Sequence, residues 1–292
     1  MIPITRPYIG DEEEAAAIAV LRSGWLTQGP KVAEFEAAFA EYVGADHAIA
    51  VANCTVALHL ALRALDVGPG DEIICPTLTF IATANAVVYC GATPVLVDVD
   101  GPTYNIDPDA VAAAITPRTR AILAVHQLGL PADLERLHAL ANRRGIVLVE
   151  DAACAAGARY HGTRIGRPHG ALACFSFHPR KSITTGEGGM ITTGDAGLAA
   201  RVRRLRQHGM SLSDLDRHRG STVQFESYPE IGFNYRMTDL QGAVGVEQLR
   251  KLDGVLTRRR ALAHRYSAAL AGVPHMTTPI EPAGLDHPFQ SY

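Results

Sequence analysis

The stretch SFHPRKSITTGEGG, Ser176 to Gly189, sets one amine, Lys181, between an apolar run and a turn rich in glycine. A lysine amine can condense with an aldehyde or carry a proton. A lysine after a strand is as readily a solvated charge, so the pattern needs partners. Asp151 closes the apolar run of VLVEDAACAAGA. A carboxylate there is costly unless paired: it either caps the next turn or holds a protonated heterocycle nitrogen. NCTVALHLAL, opening at Asn53, Cys54 and Thr55, puts small polar residues at a helix start. Its N–H groups and the Thr55 hydroxyl suit a phosphate, although Asn and Thr are also ordinary caps. Phe80 in PTLTFIATANA follows another strand end and either packs in the core or offers a flat ring to a planar ligand. Amine, acid, anion site and ring together meet the needs of one cofactor, pyridoxal 5'-phosphate. Lys181 would bind its aldehyde and later move the substrate proton, while Asp151 would keep the ring nitrogen protonated.

Such residues need strand ends to hold them. KVAEFEAAFAEYVG places Val32, Phe35, Phe39, Tyr42 and Val43 on one helical face and ends at Gly44. Apolar runs then alternate with helical patterns: HAIAV, EIICP, TPVLVDVD, RAILAVH, IVLVED and LACFSFH are separated by amphipathic segments. Strands apolar on both faces with helices between them predict an α/β fold, a mainly parallel sheet covered on both sides. GMITT adds a strand, DAGLAARVRRLRQHG a basic helix, and Leu212 to Pro229 a polar connection. Thr238 and Gln241 form a capping box for a long helix. The expected division is a large cofactor domain over residues 1–236, then the linking helix and the start of a smaller α+β domain over 237–292. PFQSY reads as a strand just beginning, so the small domain is expected to be incomplete.

A chain of 292 residues, 47% of them hydrophobic, can build a sizeable core. A net charge of −3 excludes the broad positive field of a non-specific nucleic-acid binder. The five cysteines are odd in number and lack paired metal-ligand spacing, so no metal site is expected and reduced thiols in a cytoplasmic compartment are. No run is long and apolar enough for a membrane span.

The sequence resembles the DegT/DnrJ/StrS-type sugar aminotransferases, which are fold type I pyridoxal phosphate enzymes. The resemblance is carried in family order by RPYIGDEEE, SGWLTQGPKVAEFE, NCTVALHLAL, PTLTFIATANAVVYCGATPVLVDVD, GLPADL, VEDAA, SFHPRKSITTGEGG and GFNYRMTDLQGAVGVEQL. It implies Lys181 for the covalent bond to the cofactor, Asp151 at the ring nitrogen, Phe80 on the ring, and Ser176 with Thr55 on the phosphate. Asn234 in GFNYR would reach the phosphate of a neighbouring subunit, making a homodimer with shared sites the active unit. Trp25 and Thr27 would lie near the sugar entrance, and His178 within reach of substrate. The implied reaction moves an amino group from glutamate or glutamine to a keto sugar, nucleotide-linked, or to a cyclitol ketone.

Two residues depart from the family pattern. Cys54 stands where a glycine is usual beside the phosphate turn, and Cys154 where glutamine or histidine is usual near the ring hydroxyl. These departures keep open a cofactor-binding or regulatory protein without turnover. A pyridoxamine-dependent sugar dehydratase would carry histidine in place of Lys181. A nicotinamide oxidoreductase would need G-x-G-x-x-G after the first strand, and none is present.

Overall fold

Helical and apolar stretches alternate in space as they do along the chain. The computed structural model describes residues 5–167, 169–212 and 226–292. After α1 (Asp11–Ser23) and α2 (Pro30–Val43) come β1 (His47–Val51), α3 (Cys54–Ala64), β2 (Glu72–Pro76), α4 (Ala82–Tyr89) and β3 (Thr93–Val97). The chain continues through α5 (Pro108–Ala114), β4 (Thr119–Val125), α6 (Leu134–Arg144) and β5 (Val147–Asp151). A short excursion, β6 (Arg159–Tyr160) and β7 (Thr163–Arg164), precedes β8 (Leu172–Ser176) and β9 (Gly189–Thr193). α7 (Ala196–Leu205), the long α8 (Asp239–Leu270) and β10 (Leu285–Asp286) follow. Of the polar connection expected over Leu212 to Pro229, residues 213–225 lie outside the described residues.

Seven strands form one sheet in the order β1-β9-β8-β5-β4-β2-β3. Neighbours from β8 to β3 pair in parallel, whereas β9 is antiparallel to both β8 and β1. The connector explains the reversal: residues 177–188 contain no helix to carry a parallel crossover, so the chain returns as a broad hairpin. Lys181 sits on that hairpin.

Both faces of the sheet are covered, as apolar runs on β5 and β8 require. On one side Phe35 and Phe39 of α2 meet Phe175, Phe177 and the apolar stripe Leu249, Leu252 and Leu256 of α8. On the other, Leu58 and Leu62 of α3, Val87 of α4 and Val202 of α7 close over Ile49, Ile73 and Val149. α2 ends at Gly44, whose φ of 78° is a left-handed cap. α8 opens with the expected capping box between Thr238 and Gln241. PFQSY forms no strand. The strand pair lies just before it, with Leu285 opposite Tyr160 and Asp286 opposite Arg159. Pro288 has no N–H to give a ladder, and Arg259 Nη1 instead takes the carbonyls of Phe289 and Gln290, at 3.3 and 2.9 Å.

Candidate functional site

The hairpin that carries Lys181 is held from inside and outside. Phe177 N donates to Gly188 O at 2.9 Å and Thr185 N returns to Phe177 O at 3.0 Å, while Lys181 N closes a turn on His178 O at 2.8 Å. Gly186 has φ of 81°, open to glycine at little cost. Gly189 serves a different purpose: a Cβ there would meet Asn53 C and O at 2.6 Å, so glycine lets β9 run directly against the start of α3. The hairpin and the candidate phosphate turn are thereby pressed together. From outside, α8 supplies Gln248, whose Oε1 accepts from Thr184 N at 3.1 Å, and Gln241, whose Nε2 donates to Glu187 O at 2.7 Å.

Lys181 Nζ donates to Cys154 Sγ at 3.2 Å. Burial pushes the Cys154 thiol above its ordinary range against the pull of Lys181, so the partner of the amine is a neutral thiol. Asp151 lies at the end of β5, in register with Val125 of β4 and Cys174 of β8. Only 5% of it is exposed. Its Oδ2 accepts from the Thr83 hydroxyl at 2.8 Å and its Oδ1 from Ala153 N at 3.1 Å. Among the described residues no lysine, arginine or histidine nitrogen stands within ion-pair distance of it, and burial raises its pKa. The acid thus accepts as a turn cap does from Ala153 N and is, besides, a buried carboxylate with no ion-pair partner among the described residues.

Asn53 caps α3 by accepting from Val56 N at 3.1 Å, and the half-buried Thr55 follows on the first turn. Cys54 is buried, its Sγ 3.8 Å from Cys174 O, and its thiol is pushed well up by burial. Phe80 is 76% exposed, so it is not a core residue. Ser176 is buried at the end of β8, and its Oγ accepts from His178 N at 3.4 Å. His178 is half-buried, with Nδ1 accepting from Arg180 N at 3.2 Å. Trp25 packs on Gly29, where a Cβ would come within 1.9 Å of Nε1, and Nε1 donates to Gln28 O at 3.3 Å. Thr27 is exposed. Asn234 is exposed too, bridging to Gln207.

Three relationships were not legible in the residue pattern. Thr83 orients Asp151 and is itself 2.7 Å from Thr79 Oγ1, a hydroxyl chain built by i, i+4 spacing across the start of α4. Below Asp151, the fully buried Glu150 and His126 pair at 3.0 Å, and Ala132 N donates to His126 Nδ1. That N–H leaves the ring proton on Nε2, facing the carboxylate. Gln248 joins the hairpin to α1 by donating to Glu13 Oε1 at 2.8 Å. Sequence separations of 68, 24 and 235 residues hid these contacts.

Lys181, Asp151, Cys154 and Cys54 at the start of α3 stand close enough to act on one another electrostatically, Asp151 and Ser176 lie at strand carboxyl ends, where open α/β sheets bind ligands, and the exposed Phe80 follows the end of β2. The architecture is that of a fold type I pyridoxal phosphate aminotransferase. The chain belongs to the DegT/DnrJ/EryC1/StrS aminotransferase family, whose model matches residues 7–291. It is similar to DesV of S. venezuelae, solved in complex with a ketimine intermediate, with 43% identity and a TM-score of 0.89 over 96% of this chain and 72% of that one. It is similar also to the sugar aminotransferase CalS13 of Micromonospora echinospora, with 35% identity and a TM-score of 0.92 over 100% and 79%. A putative sugar aminotransferase of Streptococcus pneumoniae, Spr1654, is 30% identical over 99% and 77%, with a TM-score of 0.89 in its PMP form. The same protein is known in a PLP form. The enzyme is accordingly a pyridoxal phosphate-dependent aminotransferase. Its residues fit that cofactor: the buried acid lacks a cation that a pyridinium would supply, and the α3 start is free of acidic side chains in its first turn.

Proposed function

We propose that the enzyme moves an amino group from glutamate or glutamine to the ketone of a nucleotide-linked sugar, or of a related cyclitol, in amino-sugar or secondary-metabolite biosynthesis. The observation that carries this reading is that Lys181, bonded to Cys154, and the buried Asp151 stand close enough to act on each other, on a sugar-aminotransferase framework. Pyridoxal phosphate supplies an aldehyde to hold the amine and a ring to take up electron density. Lys181 would hold the cofactor through Nζ at rest and, once released, would take up and give back the substrate-carbon proton at Nζ. Cys154, which accepts from Lys181 Nζ, would face the ring hydroxyl. Asp151, steadied by Thr83 and Ala153, keeps the ring nitrogen protonated. Thr55, Ser176 and the Cys54 N–H at the α3 start hold the phosphate, and Phe80 covers the ring. Trp25, Thr27 and His178 border the acceptor.

The active unit in this reading is a homodimer in which the exposed Asn234 completes the phosphate site of the other copy. The large-domain boundary near residue 236 then falls where α8 begins, after Asn234 has crossed. A cytoplasmic location accords with five free thiols. No helix among the described residues is long and apolar enough to cross a membrane. The test is an absorbance spectrum of the holoenzyme with glutamate or glutamine, followed by a panel of nucleotide-linked keto sugars and cyclitol ketones. Conversion to the pyridoxamine form and its discharge by a keto sugar supports the reading. A spectrum that does not change with any amino donor sinks it in favour of a binding protein.

A further inference from the structure

Gln248 of α8 joins two segments far apart in sequence, the start of α1 and the hairpin of Lys181. It is 3% exposed. Its Oε1 accepts from Thr184 N at 3.1 Å, and its Nε2 donates to Tyr8 O at 2.7 Å and to Glu13 Oε1 at 2.8 Å. A backbone N–H faces the amide oxygen and two acceptors face the nitrogen, so the amide fits only one way round. Glu13 is buried too, and its Oε2 accepts from Gly10 N and Lys251 Nζ, each at 2.8 Å. Burial works to raise the Glu13 pKa, but the bonds from Lys251, Gln248 and Gly10 outweigh it and hold the carboxyl below its ordinary range. Glu13 is thus an acceptor only.

The bond to Thr184 is not required to join the two helices. Lys251 already ties α8 to α1 through Glu12 and Glu13. The Thr184 bond instead falls where the hairpin has least support of its own. Lys181 N bonds back to His178 O, whereas among the described residues the N–H groups of Ser182 and Ile183 make no hydrogen bond. Thr184 is the first fixed point after the lysine: Gln248 holds its N–H, and its Oγ1 donates to Phe177 O at 2.9 Å and accepts from Gly186 N at 3.0 Å. Thr184 is 4% exposed, and a buried N–H that loses its acceptor is costly.

We propose that Gln248 is a positioning residue for the cofactor amine: by holding Thr184 N from a seat fixed by Glu13, it sets where Lys181 Nζ stands and so how fast that amine condenses with the cofactor aldehyde. In this step a carbon–nitrogen double bond forms between Nζ and the aldehyde carbon, and the aldehyde oxygen leaves as water. The role rests on Lys181 as the attachment point proposed above, and Gln248 acts only through the backbone from Thr184 to it.

The experiment adds pyridoxal phosphate to the cofactor-free protein and traps the attached form with borohydride at timed intervals. Attachment that persists in Lys181→Ala removes the assignment of the amine and the role of Gln248 with it, whereas the other outcomes bear on Gln248 alone. Gln248→Leu should slow attachment by about tenfold or more, the effect of one unmade buried hydrogen bond. In a Lys181→Ala background the same change should leave the noncovalent affinity for the cofactor unaltered. Gln248→Glu keeps an oxygen for Thr184 N but sets a second carboxylate against Glu13, and should be slow as well. Adding Glu13→Gln to it restores one donor and one acceptor with their direction reversed, and should recover most of the lost rate; this pair carries the test if Gln248→Leu does not fold. The proposal is overturned by a wild-type attachment rate in Gln248→Leu, by a swap that recovers nothing, or by a noncovalent affinity that falls as far as the rate, which would make Gln248 a general brace of the site.

Discussion

Cys154 Sγ is the hydrogen-bond partner of Lys181 Nζ, at 3.2 Å. A neutral thiol is a weak acceptor and a weak donor, so it orients the amine without fixing its charge. Cys154→Ala should therefore lower kcat/KM by less than about tenfold, which is under roughly 1.4 kcal/mol. Lys181→Ala should leave no cofactor attachable by borohydride reduction and no turnover, with the far-UV spectrum unchanged. Mass spectrometry after reduction and steady-state rates on the two variants check the contrast. A loss from Cys154→Ala as deep as that from Lys181→Ala would make the thiol a proton carrier.

Asp151 has a definite pH signature. Burial raises its folded pKa above the ordinary 3.8, so the folded cofactor-free protein keeps this proton where the unfolded chain releases it. Fewer protons bound by the unfolded chain means that Asp151 costs stability as pH rises from about 4 through its folded pKa. Asp151→Asn removes the penalty. In urea melts the cofactor-free variant should gain on the wild type as pH increases across that window, yet lose most turnover once loaded, because the pyridinium has lost its counter-charge. A wild-type-minus-variant difference that is flat in pH would mean that Asp151 does not carry the buried charge.

Local chemistry was readable where it was local. The apolar face of α2, the Gly44 stop, the capping box of α8 and the strand runs around Asp151 and Lys181 all depend on spacings within one element. Antiparallel β9 was not foreseen, although the helix-free connector 177–188 carried the signal. The start of α2 is a sharper case. Gly29 has no side chain with which to cap it, and an uncapped buried helix start implies a distant acceptor. That acceptor is Asp239, which reads in sequence only as the first residue of α8. Long-range partners such as Thr83 for Asp151 and Gln248 for Thr184 leave no periodicity, since what selects them is the packing of the finished fold.

Asp239 yields a stability prediction. It is 2% exposed, and its carboxylate accepts from Gly29 N at 2.8 Å, Val32 N at 2.9 Å and Lys31 N at 3.1 Å. One side chain thus ties the start of α2 to the start of α8. Asp239→Ala strands buried N–H groups and removes a helix cap, at a cost of about 2–4 kcal/mol. Asp239→Asn keeps an acceptor oxygen and should retain about half of that. Urea midpoints measure both, and equal stability of the alanine variant and the wild type would refute the cap.

The shared-site dimer can be tested by mixing defects. Asn234 is exposed, on the segment that leads into α8, and Gln207 is its bridge partner on its own chain. If Asn234 serves the neighbour's phosphate, Lys181 and Asn234 of one chain belong to two different sites. Lys181→Ala then abolishes turnover. Asn234→Ala weakens cofactor binding by about 1–3 kcal/mol, the cost of leaving the anion short of a donor. In a heterodimer of the two variants, one site takes Lys181 from the Asn234→Ala chain and Asn234 from the Lys181→Ala chain, and is whole, while the other site carries both defects. Co-refolding should therefore raise activity and cofactor affinity above the sum of the separate samples, toward half of the wild-type value per heterodimer. Native mass spectrometry establishes that heterodimers are present. Were such a mixture to show only the summed activity while Asn234→Ala alone is impaired, Asn234 would act within its own chain, and each subunit would hold a complete site.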